Sequence, residues 1–153
     1  MTAPVIARTG PAGSYPTAAT LTAGSPITVS CQAAGRKAGT SSVWDKLTNG
    51  WYIADYHVST PSKTSYSAPL PRCSYPFQVT PANGLSVRSG PGTSYPVTGH
   101  LAAGALAWTV CQRAGTRIGT TPVWDKLASG RWVSDYYVSS LNKRTYSRPV
   151  PRC

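Results

Sequence analysis

The chain has 153 residues, with 15 Lys and Arg against four Asp and no Glu, a formal net charge of +11 and a sequence pI near 9.9. It holds 14 Gly and 14 Pro, no window of a dozen residues with a helical apolar period and no apolar stretch long enough to span a membrane, which excludes a helical bundle and a helical membrane protein. Four Cys without a Cys-x-x-Cys pair, and only two His, argue against zinc, any other metal site or a redox motif, and no cofactor is expected.

In chain order, Val5 to Arg8 is predicted as a short strand that runs into a long ordered loop, Gly10 to Pro16, too rich in Gly and Pro to pair. Leu21 to Gly24 reads as a strand and turn. Ser25 to Gln32 alternates apolar Ile27, Val29 and Cys31 with polar Thr28 and Ser30, the pattern of a half-buried strand. Gly35 to Ser42 reads as a polar connection. Val43 to Leu47 and Trp51 to Val58 are two more strands joined through Asn49-Gly50, a hairpin signal because both residues tolerate positive φ. The tail Thr60 to Cys73 is polar and proline-bearing, expected to be extended and folded back onto the strand that carries Cys31.

The chain then repeats itself. A shift of 80 residues lays Gly10-Pro11 on Gly90-Pro91, Cys31-Gln32 on Cys111-Gln112, Val43 to Leu47 on Val123 to Leu127, and Pro71-Arg72-Cys73 on Pro151-Arg152-Cys153. No gap is needed, and roughly 30 of about 70 aligned positions are identical. A long period repeated twice indicates a duplicated domain rather than a solenoid. The predicted organisation is repeat 1 over 1–73, a short Pro/Gly linker over 74–84, and repeat 2 over 85–153. The fold class is all-β, two small barrels in tandem.

Units of this size bury thin cores and commonly need a covalent staple. Disulfides Cys31–Cys73 and Cys111–Cys153 would let each unit close itself, at on the order of 3–4 kcal/mol per loop. The crossed pairing of Cys31 with Cys111 and Cys73 with Cys153 is equally symmetric and stays open. Either implies an oxidising compartment. Met1 to Pro4 is not a signal peptide, so the expectation is a secreted protein numbered from a trimmed start. The first 73 residues carry six basic and two acidic groups, net +4, and the remaining 80 carry nine and two, net +7. That balance favours an anionic partner.

Leu85-Ser86-Val87-Arg88-Ser89-Gly90-Pro91-Gly92-Thr93-Ser94-Tyr95 resembles the opening signature of bacterial SH3-like (SH3b) domains. The spacing to Leu101 to Gly104, to Val123 to Leu127 and to Trp132 to Val138 is similar too. The version with Cys-Gln, Trp-Asp-Lys-Leu and Ser-Asp-Tyr-Tyr-Val is most like secreted proteins of actinobacteria. The likeness covers about 55 residues of each repeat and leaves the cysteine tails unexplained. It implies a compact barrel that recognises bacterial cell wall, especially peptidoglycan peptides. Many family members have Asn before the Val-Arg pair, where this chain has Ser86 and Ile6, so loop geometry and ligand choice are expected to differ.

Catalysis is not expected. The only carboxylates, Asp45, Asp55, Asp125 and Asp135, occupy repeated strand positions and are assigned a structural role. His57 is replaced by Tyr137 and His100 by Thr20 at the matching repeat positions, so neither His is expected in a repeated site. Binding is better supported, because five Trp and nine Tyr against one Phe is a set biased toward aromatics with a polar tip. Tyr15 and Tyr95 are expected to flank a groove beside the long loop, with Trp44 and Trp124 as core or groove floor and Arg88 as a contact. Tyr52 and Tyr56, and likewise Trp132 and Tyr136, are expected to share one face of the last strand. In repeat 2 the third-strand register places Ala107 and Thr109 inward and Leu106, Trp108 and Val110 outward, so Trp108 is predicted to lie outside its core. The leading partner is bacterial cell wall, peptidoglycan peptide or teichoic acid. The alternative is a secreted protein-interaction module whose Pro-x-Pro-Arg tails cover the groove. A disulfide-bonded extracellular chain argues against nucleic acid.

Overall fold

The computed structural model describes residues 3–153, which form two compact units, the first ending at Cys73 and the second beginning at Ser74. Both are all-β. Among the described residues there is no α-helix, only two short 3-10 turns, Asp55–His57 and Asp135–Tyr137.

Unit 1 is a five-stranded sheet built from β1 (Val5–Arg8), β2 (Thr17–Leu21), β3 (Val29–Ala38), β4 (Ser41–Leu47) and β5 (Tyr52–Ala54), in the order β2-β1-β5-β4-β3. Its core gathers Val5, Ala7, Leu47, Ile53 and Val58, with Ile27 and Val29 packed against it. The connection expected at Gly35 to Ser42 is instead the far end of a long hairpin. β3 runs on to Ala38 and pairs with Ser41, because Gly39 takes φ +59 and closes the turn.

The Asn49-Gly50 turn also differs from expectation. Only Gly50 has positive φ, at 88°, and its N–H donates to the Leu47 carbonyl. Asn49 instead accepts from the Trp51 N–H through its side chain. One glycine therefore suffices, and Ser129-Gly130 makes the same turn in unit 2 with Gly130 at φ +85.

Unit 2 repeats this plan with β7 (Leu85–Arg88), β8 (Val97–Leu101), β9 (Leu106–Ile118), β10 (Thr121–Leu127) and β11 (Trp132–Ser134). It adds a sixth strand where a linker was expected. β6 (Tyr75–Gln78) pairs antiparallel with Leu106 to Thr109 of β9, and Thr80 and Ser139 continue the zipper on its other side. Residues 74–84 are thus largely part of the domain. The alternation Tyr75, Phe77, Val79 drives this, since all three are buried in the core and each contributes about 2 kcal/mol of apolar burial. Pro76 is tolerated because β6 is an edge strand. These three side chains also explain why β9 turns only small Ala107 and Thr109 inward, both buried, where unit 1 has Ile27 and Val29. Trp108 is 38% exposed, outside the core as predicted.

The tails fold back as expected. The disulfides are Cys31–Cys73 and Cys111–Cys153, which settles the pairing left open by sequence. Beside each, the tail forms a parallel bridge to the third strand, Gln32 with Arg72 and Gln112 with Arg152. Arg72 stacks on the Tyr66 ring at 4.0 Å and Arg152 on Tyr146 at 4.1 Å, stiffening the tail.

Candidate functional site

The same groove opens at the same place in each unit. In unit 1 a cavity of about 290 Å³ lies over Trp44, walled by Ile6, Arg8, Gly13, Ala54 and His57. In unit 2 a cavity of about 290 Å³ lies over Trp124, walled by the 80-shifted residues Ser86, Arg88, Thr93, Ser134 and Tyr137.

Local sequence builds this geometry. Trp44 sits on β4, with its neighbours Val43 and Asp45 turned into the interior. Its indole N–H donates to the Arg36 carbonyl at 2.8 Å, and Trp124 does the same to Thr116. A buried indole with its one donor satisfied makes a rigid apolar floor. The long loop forms the wall because Arg8 reaches across it, donating to the Tyr15 carbonyl at 2.9 Å. Arg88 donates to both the Thr93 and Tyr95 carbonyls. Gly35 is required where loop and floor meet: a Cβ there would overlap the Pro11 carbonyl oxygen and the Trp44 indole, and Arg36 N–H donates to that same carbonyl. Gly35→Ala is therefore expected to push the loop off the floor and cost unit 1 about 3 kcal/mol, read as a lower urea midpoint with loss of the upfield or downfield indole N–H signal of Trp44.

Of the residues picked from sequence, Trp44, Trp124 and Arg88 line the grooves. The others do not. The Tyr15 and Tyr95 rings lie over Gly10 and Gly90 on the outside of the loop, still exposed. Tyr52 and Tyr56 do not share a strand face, because β5 ends at Ala54 and the 3-10 turn breaks the alternation. The same turn separates Trp132 from Tyr136. Tyr52 lies by Lys46 and Trp132 by Lys126. Tyr56 and Tyr136 pack over Gly39 and Gly119. Trp108 stands opposite Pro76 on β6. Conversely, position 57/137 belongs to the repeated groove after all, filled by His57 in one unit and Tyr137 in the other.

A second cavity of unit 1, about 430 Å³, shares Val5 and His57 with the first and adds Tyr56, Ser59 and Lys63. In unit 2 the corresponding backbone is covered, with Thr80 N–H donating to the Tyr137 carbonyl and Ser139 N–H to Gln78.

Beneath each sheet lies a closed polar cluster that sequence reading missed. Gln32 donates through Nε2 to Asp45 at 2.8 Å and Asp55 at 3.0 Å, and its Oε1 accepts from the Ser67 N–H of the tail at 2.7 Å. Gln112 joins Asp125, Asp135 and Ser147 in the same way. All four Asp and both Gln are 0% exposed. The second oxygen of every Asp meets no donor among the described residues, so each buried carboxyl is only half satisfied. Burial raises Asp45 to about 6, with the Asp55 charge adding to it and the Gln32 hydrogen bond opposing. Burial and then the Asp135 charge push Asp125 well above the usual carboxylate range, and burial also raises Asp135. The structural role assigned to the carboxylates thus has a specific form: glutamine bridges rather than ion pairs. The identity of Gln32 with Gln112, a polar residue retained next to each strand cysteine, was the available signal.

No protein-family model matches the chain, and no curated protein matches it closely enough to mark a relative. Among the described residues no helix is long and apolar enough to cross a membrane.

Proposed function

We propose that the chain is a non-catalytic, secreted protein that binds bacterial cell wall through two SH3-like (SH3b) modules. The observation that carries this reading is the duplicated groove: a tryptophan floor, an arginine wall and no exposed carboxylate, at matching positions 80 residues apart. An open apolar floor with a few polar groups suits an extended peptide or glycan stem, and net charge +11 suits a polyanionic wall. Two such sites in one chain gain avidity on a repeating polymer. The carboxylates are enclosed and out of reach of a substrate, which supports binding rather than catalysis. Two disulfides fit an oxidising, extracellular setting.

The alternative, a protein-interaction module capped by its own Pro-rich tails, loses its main support. No tail residue lines either groove over Trp44 or Trp124, because each tail is held against the third strand by its disulfide and by glutamine.

The test is retention on purified cell walls, with and without teichoic acid, at low and high salt. We expect retention that drops at least tenfold when Arg8→Ala and Arg88→Ala are combined. No retention under any condition would overturn the reading.

A further inference from the structure

Unit 2 carries more charge, net +7 against +4, yet its groove is the less cationic one. Its basic side chains are spent on backbone carbonyls. Arg88 holds Thr93 and Tyr95, Arg117 reaches Thr120, and Lys143 donates to the Asp135 carbonyl at 3.1 Å. Position 137 is a tyrosine, and the rest of that wall is hydroxyl-bearing Ser86, Thr93 and Ser134.

The counterparts in unit 1 make fewer such bonds. Arg8 makes one bond to the loop, to the Tyr15 carbonyl, where Arg88 makes two, so more of its guanidinium donors are left unspent. Lys37 lines the groove instead of a turn, and His57 replaces Tyr137. Lys63 lines the adjoining cavity. Among the described residues no side-chain acceptor pairs with Arg8 or Lys37, whereas Lys63 is close enough to Asp45 for their charges to attract. The only carboxylates of the unit are Asp45 and Asp55, both enclosed. Arg8 and Lys37 converge on a cavity with no side-chain counter-ion of its own, with the His57 imidazole beside them, and such a pair of cations forms an anion site. Pro4, Ile6 and Trp44 line the same cavity, and Ile6 is 45% exposed, so the ligand must also offer apolar surface. A polyol phosphate has none.

We infer that the unit 1 groove binds the chain-terminal carboxylate of a short apolar peptide, and that the unit 2 groove takes a neutral, hydroxyl- or amide-bearing segment instead. The inference deepens the wall-binding reading, assigning the two modules different parts of a ligand.

The experiment is an NMR titration of the full ¹⁵N-labelled chain with acetyl-trialanine as free acid, the same peptide as C-terminal amide, and glycerol phosphate, following the indole N–H signals of Trp44 and Trp124. The free acid is expected to shift Trp44 and leave Trp124 in place, with at least fivefold tighter binding than the amide or glycerol phosphate. Lys37→Ser with His57→Tyr, both surface changes that leave the spectrum dispersed, should weaken the acid at least fivefold. Equal shifts from acid and amide, preference for glycerol phosphate, movement of Trp124 alongside Trp44, absence of binding, or an unaffected double variant would each overturn the inference. Wall retention is scored separately: a chain that binds walls but fails here loses only the carboxylate assignment.

Discussion

Replacing Gln112 with leucine is expected to destabilise unit 2 by about 3–5 kcal/mol, the largest loss for any single side chain away from the cysteines. The residue is fully enclosed, and its amide satisfies groups from three separate elements: Asp125 on β10, Asp135 on the 3-10 turn and Ser147 on the tail. Leucine has nearly the same volume, so no cavity opens. What is lost is two donor bonds to a pair of enclosed carboxyls, and one acceptor for a buried N–H. Removing one partner leaves the others with their full desolvation cost. The tail should suffer first, because the Ser147 bond and the parallel bridge at Gln112 and Arg152 both run through this residue. Native-state hydrogen exchange resolved by unit measures this. Protection of unit 2 amides should fall by two to three orders of magnitude while unit 1 is unchanged, and a loss below tenfold would show the bridge to be dispensable.

That glutamine marks the boundary of what the sequence reveals. Strand positions and the duplication were legible because alternation and identity are local or pairwise signals: Val5 to Arg8 and the Trp-Asp-Lys-Leu strand fall where they were read. The disulfides follow the pairing that lets each unit close itself, one of the two symmetric pairings the sequence leaves open. Partnerships formed in three dimensions were not legible. Asp45, Asp55 and Gln32 are 10 to 23 residues apart in sequence, and nothing local says that one amide will serve both acids. β6 was hidden by Pro76 and Pro81, which made an apolar alternation look like a linker. The aromatic reading chose the right floor, Trp44 and Trp124, because these lie mid-strand. It failed at Tyr56 and Tyr136, since the 3-10 turn that redirects them has no period to detect. The charge reading failed for a related reason: net charge counts cations, whereas the groove is set by which of them the backbone leaves free.

The burial of Asp45 makes stability fall toward neutral pH, the reverse of the usual carboxylate behaviour. In the unfolded chain Asp45 titrates near 3.8, and in the folded unit burial lifts it to about 6. The folded state therefore holds its proton more tightly than the unfolded one between these values, so folding is favoured at low pH. The contribution is fully present below about pH 4 and is lost as pH rises through about 6, where the enclosed Asp45 carboxyl ionises. Two pH units of raised affinity correspond to about 2–3 kcal/mol. In unit 2 the same direction holds for Asp125 and Asp135. Self-repulsion among the surplus cations acts on the same curve, so the decisive comparison is between the natural chain and Asp45→Asn. Asparagine keeps the shape of the protonated carboxyl and cannot ionise. Urea unfolding between pH 4 and 8 is expected to show the natural chain losing about 2 kcal/mol relative to Asp45→Asn across that interval. A difference that stays flat, or that grows in favour of the natural chain as pH rises, would mean that burial does not raise Asp45 in the folded unit.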